Sequence, residues 1–231
     1  MSLYNIISKC NILLGSGYGH WTWTALAALS LRSPQRLPPT HFLLVDVVPA
    51  LAPVIAAMAA RNMPHPRDER RHVVHFHAGF VAGSAHPANL SSSQQKWANF
   101  NVHAYTHTWA THDEGSTNEP SAATPVSLAE LLNQYAVPCP IHVLDVDVQG
   151  AEYELFAGAE TMRLLKQRVR RVHIGVHGMN LRHGALKSRF DAANWTRTWY
   201  FPRGRIQTDF GAANFADGVL SLVNRHGPQC D

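Results

Sequence analysis

Two short stretches hold side chains able to do chemistry together: "VLDVDVQGAEYE" at 143–154 and "HIGVH" at 173–177. Asp145 and Asp147 are two residues apart after an apolar run, and on a strand that spacing points both to one face. Neighbouring carboxylates repel, and one tends to keep its proton unless something positive or hydrogen-bonding lies between them. A metal ion, a substrate hydroxyl, a cofactor's sulfonium or backbone amides would all serve. Oxygen donors favour magnesium or calcium over zinc, so Asp145 and Asp147 are candidate ligands of a divalent cation such as magnesium as well as candidate catalytic groups. Glu152 falls in the first turn of the next helix, where the helix dipole favours an acid. His177 ends its strand, a position for a general base acting on a hydroxyl, with His173 on the same face. His75 and His77 also share a face, but no further ligand spacing for zinc accompanies them.

A second constellation begins at "NILLGSGYGHW", residues 11–21. Gly15, Gly17 and Gly19, with Ser16 and Tyr18 between them, let the backbone approach a ligand closely because no Cβ intervenes. Asp46 ends the next apolar run, "HFLLVD", and Val47 follows it. A carboxylate there accepts both hydroxyls of a ribose, in a nicotinamide dinucleotide and in S-adenosylmethionine (SAM) alike, although it would also serve to cap the helix beside Pro49. Ala78 and Gly79 end a third run, where an adenine would lie.

These residues all fall at the ends of strands in an alternating pattern. Apolar runs at 11–14, 41–46, 72–82, 141–147 and 170–177 alternate with helical segments at 21–31, 49–62, 127–136, 150–167 and 186–194. Ser127 and Glu130 form a capping box for the third helix. "WTRTWYF" and "GVLSLVN" are the last two strands, the second preceded by the turn pair Asp217-Gly218. Alternation of this kind predicts a parallel sheet with helices on both faces, binding its ligand at the strands' carboxyl ends near the reversal of strand order. Residues 83–125 are rich in Ser, Asn, His and Thr and carry His107, Trp97 and Trp109 with little periodicity. A stretch that long and irregular is read as a lid over the site.

The composition fits one domain spanning residues 1–231: 45% hydrophobic, 16% charged and a net charge of +4. The basic surplus, around Arg168, Arg170, Arg171, Arg182, Arg189, Arg203 and Arg205, forms no block, so no nucleic-acid partner is expected and a small-molecule or carbohydrate ligand is. Three cysteines without metal spacing point to a reducing compartment, the cytoplasm, over a disulfide framework. The apolar stretch at 42–60 is divided by Asp46, Pro49 and Pro53, so it is read as strand, turn and helix and no membrane association is expected.

"LDVDVQGAEYELFAGA" followed by "VHIGVH" resembles the FkbM family of SAM-dependent methyltransferases, whose signature reads roughly Lys/Asp-x-Asp-x-Glu/Gln-Gly-Ala-Glu with a Leu-x-Gly-Ala after it. The tail "TDFGAANFADGVLSLVN" is similar to a branch of that family, and the likeness runs from Asn11 to about Asn224. It implies a Rossmann-like class I methyltransferase sheet of about seven strands, mostly parallel, whose last two strands form an antiparallel hairpin. It also implies SAM on residues 15–19, Asp46, Val47, Ala78 and Gly79, with methyl transfer to a hydroxyl of a small polar metabolite or sugar beside Asp145, Asp147, Glu152 and His177. Many members carry lysine where Asp145 stands, which changes how the substrate is held. Leu13 stands where such loops usually carry an acid, so the Gly15 carbonyl, Asp145 or a water must meet the methionine amino group. A nicotinamide oxidoreductase shares the glycine loop and Asp46, but the chain lacks a tyrosine-lysine pair at helical spacing. A non-catalytic SAM-binding domain is the remaining alternative.

Overall fold

The computed structural model describes residues 9–16, 23, 40–62, 72–83, 124–177, 180–208, 211–215 and 217–230. Gly17, Tyr18, Gly19, most of the first expected helix, and the segment expected to form a lid, with His107, Trp97 and Trp109, lie outside them.

Seven strands form the central sheet: β1 (Lys9–Leu14), β2 (Thr40–Asp46), β3 (His72–Ala78), β6 (Val143–Val146), β7 (Arg171–Val176), β8 (Trp195–Phe201) and β11 (Gly218–Asn224), in the order β3-β2-β1-β6-β7-β11-β8. Neighbours from β3 through β7 are parallel, and β11 enters antiparallel to both β7 and β8. The expected mostly parallel sheet with a terminal antiparallel pair is therefore present. The two-sided burial of "FLLV" in β2 is what makes that run apolar throughout: Leu43 and Val45 enter one core, Phe42 and Leu44 the other.

Helices cover both faces. The larger core holds Leu128, Leu131 and Leu132 of α2 (Leu128–Gln134), Leu155 of α3 (Glu152–Leu155), Leu165 of α4 (Ala159–Arg168), and Leu186 and Phe190 of α5 (Asn180–Ala192). On the opposite face α1 (Leu51–Asn62) buries Leu51 and Ile55 beside Leu13 and Trp23. The capping box is present: Ser127 Oγ accepts the Glu130 N–H at 3.2 Å, and Glu130 Oε2 accepts the Ser127 N–H at 3.0 Å. Those bonds hold the Glu130 carboxyl below its ordinary range.

Four expectations need correction. The run at 72–82 is two strands, because the Gly79 N–H turns to the Asp46 carbonyl (2.8 Å) and β4 (Phe80–Ala82) leaves to pair with β5 (Pro125–Ser127) in a separate sheet. A Cβ at Gly79 would lie 2.7 Å from the Thr124 carbonyl oxygen, so glycine permits the break. The long helix expected at 150–167 divides at Phe156–Gly158 into α3 and α4. A hairpin, β9 (Gly204–Thr208) with β10 (Gly211–Phe215), stands between β8 and β11 where no elements were expected. Finally, Cys139 and Cys230 are disulfide-bonded, closing 91 residues, so the expectation of three free thiols does not hold. The remaining thiol, Cys10, is buried, and burial pushes its pKa up to about 12. Among the described residues no helix is long and apolar enough to cross a membrane.

A cross-link that closes so long a loop restricts the unfolded chain. Cys230→Ser is expected to lower the unfolding free energy by about 2–4 kcal/mol, measured by urea denaturation. Alkylation of the denatured, unreduced protein should label Cys10 alone.

Candidate active site

Strand order reverses between β1 and β6, and there the backbone is packed without spare room. The Asp147 N–H donates to the Leu14 carbonyl (2.9 Å), and the Gly15 and Ser16 N–H groups both donate to Val45 (2.9 and 3.1 Å). Gly15 adopts φ 73°, and a Cβ on it would lie 1.8 Å from the Asp147 carbonyl oxygen. The first glycine of the loop is thus required by the neighbouring strand end. Asp46 Oδ1 accepts the Val48 N–H (3.1 Å), which fixes the carboxylate at the end of β2, and Gly79 closes against the Asp46 carbonyl on the other side.

After β6 the chain turns through Gln149 (φ 52°) and Gly150 (φ 101°). No side chain or backbone crowds Gly150, so its glycine answers the left-handed conformation alone. The turn wraps backbone donors onto Glu152, whose side chain is 2% exposed. Oε1 accepts the Val148 N–H (3.2 Å), and the Gly150 N–H reaches both Oε2 (3.0 Å) and Oε1 (3.2 Å). A third donor comes from across the sheet: His177 Nδ1 lies 2.7 Å from Glu152 Oε1. An ionised carboxylate only accepts, so Nδ1 carries the hydrogen and Nε2 is the working nitrogen.

Nε2 faces two more carboxylates, Asp147 Oδ1 at 3.3 Å and Asp217 Oδ2 at 3.6 Å. Burial opposes a charged His177 ring, but the Glu152 hydrogen bond and the charges of Glu152, Asp147 and Asp217 outweigh it and raise its pKa above the ordinary histidine value. Burial, then the Glu152 and Asp217 charges, raise Asp147 in turn, against the opposing pull of His177 and of the Gln149 amide, which donates at 3.2 Å. A neutral ring would set its Nε2 lone pair against carboxylate oxygens, so the cluster favours taking up a proton. Gly175 lies under the cluster, where a Cβ would be in ordinary contact with the Asp147 carboxylate at 3.5 Å.

The structure thus brings together Asp147, Glu152 and His177 and adds Asp217, which had been read as a turn residue. Its signal was its place before a strand antiparallel to β7: Gly218 is the register partner of Val176, which sets Asp217 opposite His177. Asp145 stands one pleat deeper, in register with Leu13 on β1 and His173 on β7. Ligand atoms of Asp147, Glu152 and His177 lie within 4.8 Å of one another, and Asp145 is not among them. Asp145 and Asp147 are therefore not joined in one group of ligand atoms, and the divalent cation expected on them is not supported. His75 and His77 pack against Tyr135 instead, with ring centroids 5.0 and 5.8 Å away.

A seven-stranded sheet of this order, parallel but for one strand and with Gly15 and acids at its switch point, is the class I SAM-dependent methyltransferase fold. No family model matches the chain, and no curated protein matches it. Solved structures similar in fold include a precorrin-6y C5,15-methyltransferase from Geobacter metallireducens, 8% identical over 95% of this chain and 83% of that one (TM-score 0.44). A putative RNA methyltransferase from Pyrococcus horikoshii is 10% identical over 94% and 75% (TM-score 0.43). The human Mettl16 catalytic domain in complex with the MAT2A 3′UTR hairpin 1 is 10% identical over 94% and 64% (TM-score 0.40). Because structures of this fold include RNA methyltransferases, one of them bound to RNA, the expectation that nucleic acid has no part is withdrawn.

Gly15→Ala places a methyl group against a backbone carbonyl that no rotamer change can move. It should lower stability by about 3 kcal/mol or more, read as a fall in the urea midpoint.

Proposed function

We propose that the protein is a SAM-dependent O-methyltransferase that deprotonates an acceptor hydroxyl with His177. The 2.7 Å contact between Nδ1 and the buried Glu152 carries this reading, because it leaves Nε2 as the acceptor at the mouth of the site. A carboxylate that fixes the histidine tautomer and stabilises the imidazolium is the arrangement general-base catalysis requires.

SAM supplies an electrophilic methyl group on a sulfonium. Residues 15–19, Asp46, Val47, Ala78 and Gly79 are proposed to hold it, with Asp46 on the ribose. Asp145 is proposed to meet its ammonium group. As the register partner of Leu13, it brings a carboxylate beside the position where an acid is missing from β1. The acceptor hydroxyl donates to Nε2 between Asp147 and Asp217, and the proton it loses as its oxygen gains the methyl group passes to Nε2. The imidazolium so formed is held by three carboxylates. Most of the rate advantage in such a displacement comes from alignment, and the base removes the cost of leaving a positively charged product oxygen. A small polar metabolite or a sugar supplies a hydroxyl of this kind.

His177 must be neutral to act, and its pKa is raised. Turnover should therefore be low in acid and rise with pH through an inflection above the ordinary histidine value. Glu152→Gln removes the largest of the raising influences and should move the inflection to lower pH. Initial rates across pH with SAM and a hydroxyl acceptor test this, and an inflection unchanged in the variant would refute the base assignment.

The two aspartates should separate. Asp145→Asn is expected to weaken both SAM and its demethylated product by on the order of tenfold, as loss of a charge-assisted hydrogen bond would, and to leave the pH profile in place. Asp147→Asn should lower kcat with cofactor affinity nearly intact. Titration calorimetry beside steady-state kinetics measures both.

A further inference from the structure

Among the described residues β8 is an edge of the sheet: β11 pairs with one side of it and no described strand with the other. Its register slips between Ser221 and Leu222, so Thr198 is an extra residue on the bulged strand. Beside the bulge lies a cavity of about 400 Å³ lined by Asp191, Thr196, Arg197, Thr198, Trp199 and Arg225 among others. Trp199 is 60% exposed, an unusual position for so large an apolar side chain.

The charges around it are unequal. Asp191 is matched twice, by Lys187 and by Arg197, each at 3.2 Å. Arg225 meets no carboxylate among the described residues. Arg225 is exposed, and its Nε donates to Thr196 Oγ1 at 2.7 Å, a bond that uses neither of the two terminal nitrogens of the guanidinium. Thr196 and Trp199 pair with Val223 and Ser221, two residues apart on β11, so they share a face of the sheet. Arg225 joins that face through its bond to Thr196. A flat apolar ring surface and a cation without a carboxylate partner among the described residues thus line the same cavity.

We propose that this cavity is a binding subsite for an acidic glycan. The C–H face of a pyranose stacks on the Trp199 indole, and a uronate carboxylate pairs with the Arg225 guanidinium. A nucleotide chain would present a similar ring and anion. The Cys139–Cys230 disulfide favours the glycan, because such bonds persist in oxidising compartments, where acidic polysaccharides are abundant and RNA is not. The subsite rests on the hydroxyl-methylation reading for its role. β8 runs toward the strand ends that carry His177 and Asp217, so a chain held at Trp199 leads its next units to the site.

Calorimetric titration without cofactor tests the subsite, using tetrasaccharides of galacturonic acid and of alternating glucuronic acid and N-acetylglucosamine. The same sugars with reduced carboxyl groups and a single-stranded RNA ten-mer are the comparisons. At least one acidic sugar should bind, and Trp199→Ala and Arg225→Gln should each weaken it about tenfold, with melting temperatures unchanged. The carboxyl-reduced form should bind the wild type as poorly as the acidic form binds Arg225→Gln. Failure of every acidic sugar to bind, binding indifferent to both substitutions, or tighter Trp199-dependent binding of the RNA would each overturn the proposal. SAM titrated into the same preparations reports on the methyl-transfer reading separately.

Discussion

One buried carboxylate ties the active region together. Glu152 has almost no contact with solvent, so its charge must be met from within. Two of its donors are the Val148 and Gly150 amides, which only the left-handed turn at Gln149 and Gly150 can aim inward. The third is His177, from the end of a different strand. Satisfying one ion thus fixes the turn after β6, the start of α3 and the ring at the end of β7 relative to one another. Removing any one donor would leave the others holding an under-compensated charge, which costs far more than a single hydrogen bond is worth.

Beside this anchor, the strand ends leave little freedom. The Gly15 backbone lies against the Asp147 carbonyl, and the Asp147 amide bonds to Leu14, so the glycine loop and the acidic loop are parts of one packed junction. The crossing from β1 to β6 at the switch point makes this possible, since it sets the first and fourth parallel strands side by side. A ligand held there would be bordered by fixed backbone, which suits the proposed methyl transfer, whose rate depends on alignment.

Much of this was legible in the residues. The period and length of the apolar runs, with Gly/Pro punctuation, gave the sheet and most helices. The Ser127–Glu130 spacing gave a cap that is present atom for atom. Local pattern could not show where a run changes partner. "HVVHFHAGFVA" is apolar throughout, and only the Gly79 amide's bond to another strand divides it. The same limit hid Asp217: a turn pair before a strand is visible, but the residue it faces depends on β11 inserting between β7 and β8. Cys139 and Cys230, 91 residues apart, carry no spacing signal for their bond. Asp145 and Asp147 read as a matched pair because strand geometry treats them alike. The strand ends between them: Asp145 remains in the ladder, while Asp147 meets the histidine.

The distribution of charge gives these regions different tasks. Around His177 three carboxylates surround one ring that carries at most a single positive charge, so the mouth of the site has a negative potential. Such a mouth attracts a sulfonium and stabilises the imidazolium that forms when a hydroxyl loses its proton, but it repels an anionic acceptor brought there directly. The chain's net charge of +4 must therefore be expressed elsewhere on its surface, and the β8 edge, with Arg225 unmatched beside Trp199, is one such place. If acidic units of an acceptor are held at that edge, their charge is neutralised at a distance from the reacting centre. The hydroxyl-bearing unit then enters the negative site without bringing its own anion close to Asp147 and Asp217. An acceptor carrying its acid next to the reacting hydroxyl would lose that advantage, because the group that anchors it at the edge would be the group the site repels.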